Sequence, residues 1–135
     1  MEMNEILAVS GQPGLFKFVA RSQRGFIVES LLTGKRTNIA ADSRVSAMSD
    51  ISIFTDNEDR PLVEVFEAMR VVCDTKTTIS HKESDDAVEA KFAEAVPDYS
   101  RGRVHLSDMR KVIAWYNILI EAGVTEFKLP DEEQE

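Results

Sequence analysis

The residues best equipped for chemistry sit late in the chain. Arg101, Arg103, Arg110 and Lys111 fall close together, with Tyr99 and His105 among them. Cations interleaved with rings suit an anion. A helix opening at Ser107-Asp108 would aim its unpaired backbone N–H groups at the same ligand, so these four side chains are the predicted anion or nucleic-acid contact. The plainer reading is a set of solvated charges pairing with Asp98, Asp108 and the acidic segment before them. Covalent chemistry has less to draw on, because a nucleophile needs a positioned base and that base an orienting partner. Cys73 lies on an apolar helical stripe, where a thiol packs as a small hydrophobe and stays inert. Ser107 reads as a helix cap, worth about 1 kcal/mol. His105 reads as a surface or turn residue, and His81 falls in a polar stretch that carries no signal.

Phosphate loops and metal cages are also poorly supported. Gly11-Gln12-Pro13-Gly14 has the glycines of a cradle, but Pro13 removes a backbone donor and no Lys-Ser/Thr follows, so it reads as a turn. The segment Asp98 to Met109 begins like a calcium loop. Its fifth position is Gly102, its sixth Arg103 and its twelfth Met109, where such a loop needs an oxygen ligand, glycine and a bidentate Glu. With one Cys and two His in 135 residues, a thiolate-built or all-histidine metal site is disfavoured, and no cofactor is expected.

The elements that must position these residues divide the chain by periodicity. Before Asp56 the pattern is that of short strands: Leu15–Arg21, Phe26–Leu31, a more polar edge strand Lys35–Ile39, and Ile51–Thr55. Ser22–Gly25 and Thr33-Gly34 supply tight turns, and Ala40–Asp50 reads as a connection. Asn4–Val9 reads as a short helix or a fifth strand, with the helix favoured. Four such strands form a meander that tends to curl into a small SH3- or Tudor-like barrel. Beyond Asp56 the period becomes 3.6. Leu62, Val65, Phe66, Met69, Val72 and Cys73 make one helical face, with Pro61 in the first turn and Asp59 as its cap. Ser84 caps a second helix whose apolar face is Val88, Phe92, Ala95 and Val96, and Pro97 stops it.

The third helix runs from Ser107-Asp108 to Gly123, a C′ glycine. Met109, Val112, Ile113, Tyr116, Leu119 and Ile120 form its stripe, Trp115 extends the edge, and Ile118 falls off it. A helix apolar over so much of its circumference is packed on two sides or offers one side to a partner. The predicted fold class is therefore α+β. A β-barrel or bent meander spans 1–58, an amphipathic helix 59–73, a polar linker 74–83 and a helical pair 84–130, with a disordered acidic tail at 131–135.

Composition sets the outer bounds. Hydrophobic residues at 43% and charged residues at 30% are those of a globular protein. Residues 1–55 hold six basic and five acidic side chains, whereas the remainder holds ten and nineteen, which gives the chain its net −8. That excess argues against a general nucleic-acid coat, and any anion-binding surface must be local. The N-terminal stretch is acidic where a signal peptide is basic, no window is long enough to span a membrane, and one Cys suits a reducing compartment. The expected location is the cytoplasm, with no membrane association.

Several stretches carry a family resemblance. Ile6–Leu15, Phe26–Leu31, Arg103–Lys111 and Trp115-Tyr116-Asn117 resemble an uncharacterised bacterial family of paired domains of unknown function, found in short cytoplasmic proteins. The resemblance covers most of the chain apart from the linker and tail. It implies a two-part division and brings no activity, cofactor or catalytic residue with it. The residues together lead to a non-catalytic binding or adaptor module with a protein partner. The alternative is a nucleic-acid-associated regulator that uses the basic entry to the last helix. An enzyme would have to work with carboxylates alone.

Overall fold

The computed structural model describes residues 3–12, 14–125 and 127. The tail at 131–135 lies outside the described residues. Seven strands and three helices follow in order: β1 Ile6–Val9, β2 Phe16–Ser22, β3 Gly25–Ser30, β4 Arg36–Ala40, β5 Val45–Ala47, β6 Ser52–Ile53, β7 Arg60–Pro61, α1 Leu62–Val72, α2 Asp85–Ala95 and α3 Leu106–Glu121. The α+β class and the helix order match the sequence reading.

The β portion is a five-stranded antiparallel sheet ordered β4-β3-β2-β1-β5. It is bent rather than closed. An irregularity between Phe18 and Ala20 shifts the register against Val28 and Ile27, and such a bulge sharpens the local twist. The inner face then gathers Leu7, Val9, Phe16, Val28 and Ile39 into a small core of its own, with Phe18, Phe26 and Val45 at its margin. Both edge strands contribute to it, yet β4 and β5 remain unbonded to each other among the described residues.

A closed SH3- or Tudor-like barrel is thus corrected to an open, curled sheet. The reason lies in two segments. Residues 3–9 form a single 3₁₀ turn at Met3–Glu5 and then β1, the strand alternative and not the favoured helix, because Ile6 and Leu7 serve opposite faces of the sheet. The predicted strand Ile51–Thr55 keeps only Ser52–Ile53, paired with Arg60–Pro61 outside the sheet, while Thr55 bridges to Tyr99. Its expected place is taken by β5, from within the segment read as a connection.

The main core joins both parts of the chain. Met3, Ile6, Leu15 and Met48 from the β portion pack with Leu62, Phe66, Met69, Val88, Phe92, Ile113, Tyr116 and Leu119 from the helices. Phe127 closes the far side, its ring 5.7 Å from Phe66 and 6.3 Å from Tyr116.

Helix starts differ from the expected caps in two places. Pro61 is itself the N-cap of α1, and the Leu62 N–H donates to the Ile51 carbonyl at 2.8 Å, so Asp59 caps nothing. His105, not Ser107, occupies the N-cap of α3, and the Asp108 carboxylate accepts the His105 backbone N–H at 3.0 Å. Ser84 caps α2 as expected, accepting from the Ala87 N–H. The α1 stripe ends early: Val72 is 44% exposed and Cys73 is half-buried, since the helix outruns its neighbours there.

Candidate functional site

The face of α3 that the core covers only in part defines the site. Met109, Val112, Ile113, Tyr116 and Leu119 are buried against the other helices. Lys111, Ala114, Trp115 and Ile118 recur at helical spacing on another side, the expected neighbours at i, i+3, i+4 and i+7. They line a groove of about 600 Å3 whose facing wall is Ala8, Val9, residues 10–12, Gly14, Arg44, Ser46 and Ile51. Trp115 and Lys111 also border a recess of about 220 Å3 with Phe54, Ile53 and Val104. At the other end, Ile118 and Ala114 also border a crevice of about 510 Å3 beside Leu32, Thr78 and Asn117. The three hollows share lining residues and lie side by side along α3, and together they are called the trough below.

The two walls are set by local chemistry. Gly11 and Gly14 both take positive φ, at 83° and 82°, the left-handed backbone that glycine adopts freely. A side chain at Gly14 would meet Leu32 Cδ1 at 2.6 Å. On the other wall, the segment 74–83 has no regular structure and is held by α3 instead. Asn117 accepts the Thr78 N–H at 2.8 Å and donates to the Ile79 carbonyl at 3.0 Å. The Tyr116 hydroxyl donates to the Lys76 carbonyl at 2.7 Å. Burial of that phenol pushes its pKa up to about 12, with Cys73 beside it adding to the shift.

The four predicted cations do different jobs. Arg110 donates to the carbonyls of His81 and Glu83 at 2.6 and 2.8 Å and to Asp85 Oδ1 at 2.5 Å, so it fastens the linker and the start of α2 to α3. Arg103 donates to the Thr55 carbonyl at 3.0 Å and to Ser100 Oγ at 3.3 Å, with its guanidinium 4.6 Å from the Phe54 ring centre. Arg101 lies over Tyr99 at 4.7 Å, away from the groove lining. Lys111 is exposed and borders both the groove and the recess. The structure thus brings Arg103, Arg110 and Lys111 to one trough and leaves Arg101 outside it.

Two neighbouring polar groups support this corner. Tyr99 donates to Glu89 Oε2 at 2.8 Å, and burial, reinforced by that carboxylate, raises its pKa above the ordinary tyrosine value. The Asn57 amide donates to Asp98 at 3.0 Å and holds that carboxyl below its usual range. Arg44, Phe54 and Ile51 were not among the residues singled out as a site. Arg44 sits beside β5, in a stretch whose composition reads as connection, so no sequence signal marks it. Trp115 and Ile118 did carry a signal, since both lie beyond the core stripe of α3.

Among the described residues, no group of three or more His, Cys, Asp or Glu side chains is gathered closely enough to hold a metal ion. No helix among them is long and apolar enough to cross a membrane.

Two family models match the chain. Residues 3–48 match the domain of unknown function DUF5606, and residues 51–119 match the domain of unknown function DUF6852. A solution NMR structure from Bacteroides vulgatus is 39% identical, with a TM-score of 0.76 over 93% of this chain and 90% of that one. No curated protein matches. The trough along α3 is built from both matched regions, and the chain belongs to the uncharacterised bacterial family in which DUF5606 and DUF6852 are paired.

Proposed function

We propose that this protein is a non-catalytic binding module that receives a partner protein in the trough along α3. One observation carries the reading: Trp115 and Ile118 form a half-buried apolar floor, between two walls, on a helix whose opposite side already completes the core. Apolar concave surfaces with a few polar groups at the rim are the ordinary form of a recognition site.

A second reading keeps nucleic acid as the ligand. It is favoured by the pairing of Phe54 and Trp115 with Arg103 and Lys111 around one recess, since rings and cations together bind single strands. Against it stand the hydrogen bonds already made by Arg103 and Arg110.

The test compares what the wild-type chain and Trp115→Ala and Lys111→Glu variants retain from a cell extract, with and without nuclease, by mass spectrometry. The expected result is a protein set lost from both variants and insensitive to nuclease. The same set on all three chains would refute the trough as the site. Loss on nuclease treatment would transfer the conclusion to the second reading.

A further inference from the structure

We infer that the trough binds an acidic, extended peptide segment bearing one bulky apolar side chain, a refinement that rests on the binding-module reading. The chain carries eight net negative charges, yet the main groove is lined by Arg44, Arg110 and Lys111 without a single Asp or Glu. The recess adds Arg103, and its one carboxylate, Asp108, already accepts the His105 N–H. Arg110 is committed to the linker and Asp85. Arg44 and Lys111 are exposed and make no ion pair among the described residues.

Two uncommitted cations in a cleft of a strongly acidic protein concentrate positive potential at one place, because low-dielectric walls focus the field. A carboxylate-bearing partner is attracted there and repelled by the acidic excess carried by residues 56–135. Between these cations the floor is apolar, with Ile51, Trp115 and Ile118 half-buried and a volume of about 600 Å3 above them. That space accepts a leucine- or phenylalanine-sized anchor, the kind of contact that dominates interface energy. The Asn117 crevice and the Phe54 recess flank the groove at its two ends along α3, a row of hollows that favours an extended segment over a compact ligand.

Nucleic acid meets this surface on poorer terms. Its affinity comes from neutralising several phosphates at once, and two free cations supply little of that. Asp85 stands beside Arg110 and adds a local repulsion.

Trp115 is the chain's only tryptophan, so its emission reports occupancy directly. The probes are short synthetic peptides with Asp and Glu flanking a central Leu, Phe or Trp-free aromatic residue. Controls carry Lys for each acid, or Ser for the anchor, and an oligothymidylate of similar length stands for nucleic acid. At least one acidic, anchored peptide should shift the emission, with affinity that falls as salt rises. The Arg44→Glu, Lys111→Glu double variant should weaken it by about tenfold or more while keeping its circular dichroism, since both side chains are exposed.

Equal binding of the lysine peptides, tighter binding of the oligothymidylate, or silence from every acidic peptide would overturn the proposal. Self-association of the wild-type chain in sedimentation, abolished by the double reversal, would also overturn it, as the trough would then be a contact between copies. If trough-dependent capture from extract persists while the peptides fail, only the acidic-peptide assignment falls. If both fail, the binding-module reading falls with it.

Discussion

Arg110→Ala should loosen the segment between α1 and α2 while leaving the core in place. The guanidinium reaches across from α3 to the carbonyls of His81 and Glu83 and to the Asp85 carboxylate. Its loss removes three bonds but buries no orphaned group, because water can reach the freed carbonyls at this exposed site. Each carbonyl bond then contributes about 0.5–1 kcal/mol. The ion pair adds less, roughly 0.2–1 kcal/mol, as the Asp85 side chain is 70% exposed. The total is about 2 kcal/mol, which for a chain of this length lowers Tm by roughly 6–10 °C.

Urea unfolding measures the loss, and amide hydrogen exchange locates it in residues 76–85. Arg110→Lys keeps the charge but loses the planar fork, so it should recover less than half of the stability. A loss below about 0.5 kcal/mol for Arg110→Ala, with unchanged exchange in the linker, would refute the clamp. Full rescue by lysine would show that charge alone matters there.

Three further outcomes are expected. Gly25→Ala should cost more than about 2 kcal/mol in urea unfolding, because its Cβ would lie 1.8 Å from the Ile39 carbonyl oxygen across the β3–β4 pair. Wild-type stability would mean that the two strands are not so closely apposed. Asn117→Ala should cost about 2 kcal/mol through its two bonds to Thr78 and Ile79, and should speed exchange at the Thr78 amide. Both tyrosine pKa values are raised, that of Tyr116 from 10 to about 12, so the neutral phenol is the form the fold favours. That stability is fully present below pH 10 and is lost as pH rises through about 12. Ultraviolet titration should therefore show less tyrosinate at about pH 11 in the native chain, where the Tyr116 phenol stays mostly neutral, than in denaturant, where ionisation is nearly full.

The helices were legible because their signals are local. Ser84 and Pro97 bracket α2, Gly123 takes the positive φ of a C′ residue at 88°, and the buried faces of α2 and α3 are those the spacing requires. Strand pairing was only partly legible, since the partner of a strand is not written in the strand. Ile51–Thr55 has the alternation of a central strand, yet its neighbours are Pro61 and Tyr99. Val45–Ala47 is three residues long with no strong strand former beyond Val45, and it owes its conformation to pairing with β1. The basic cluster was visible as composition. Its division into a clamp, a packed arginine, a stacked arginine and a free lysine depends on backbone carbonyls brought from Thr55, His81 and Glu83, which no residue type reveals.

The two family-matched regions meet between residues 48 and 51, but the main core does not respect that boundary. Met3, Ile6, Leu15 and Met48 are all at most 1% exposed, and they are covered by helices that follow in the second region. Separating the regions would return those four large apolar side chains to water, each worth roughly 1.5–3 kcal/mol when buried. The same joint shapes the trough. Its one wall, with Ala8, Val9 and Arg44, comes from the first region, and its floor, with Trp115 and Ile118, comes from the second. Neither region alone holds both an apolar floor and the Arg44 rim. The two regions are thus tied together twice: each completes the other's core, and together they line the groove that carries Arg44 and Lys111.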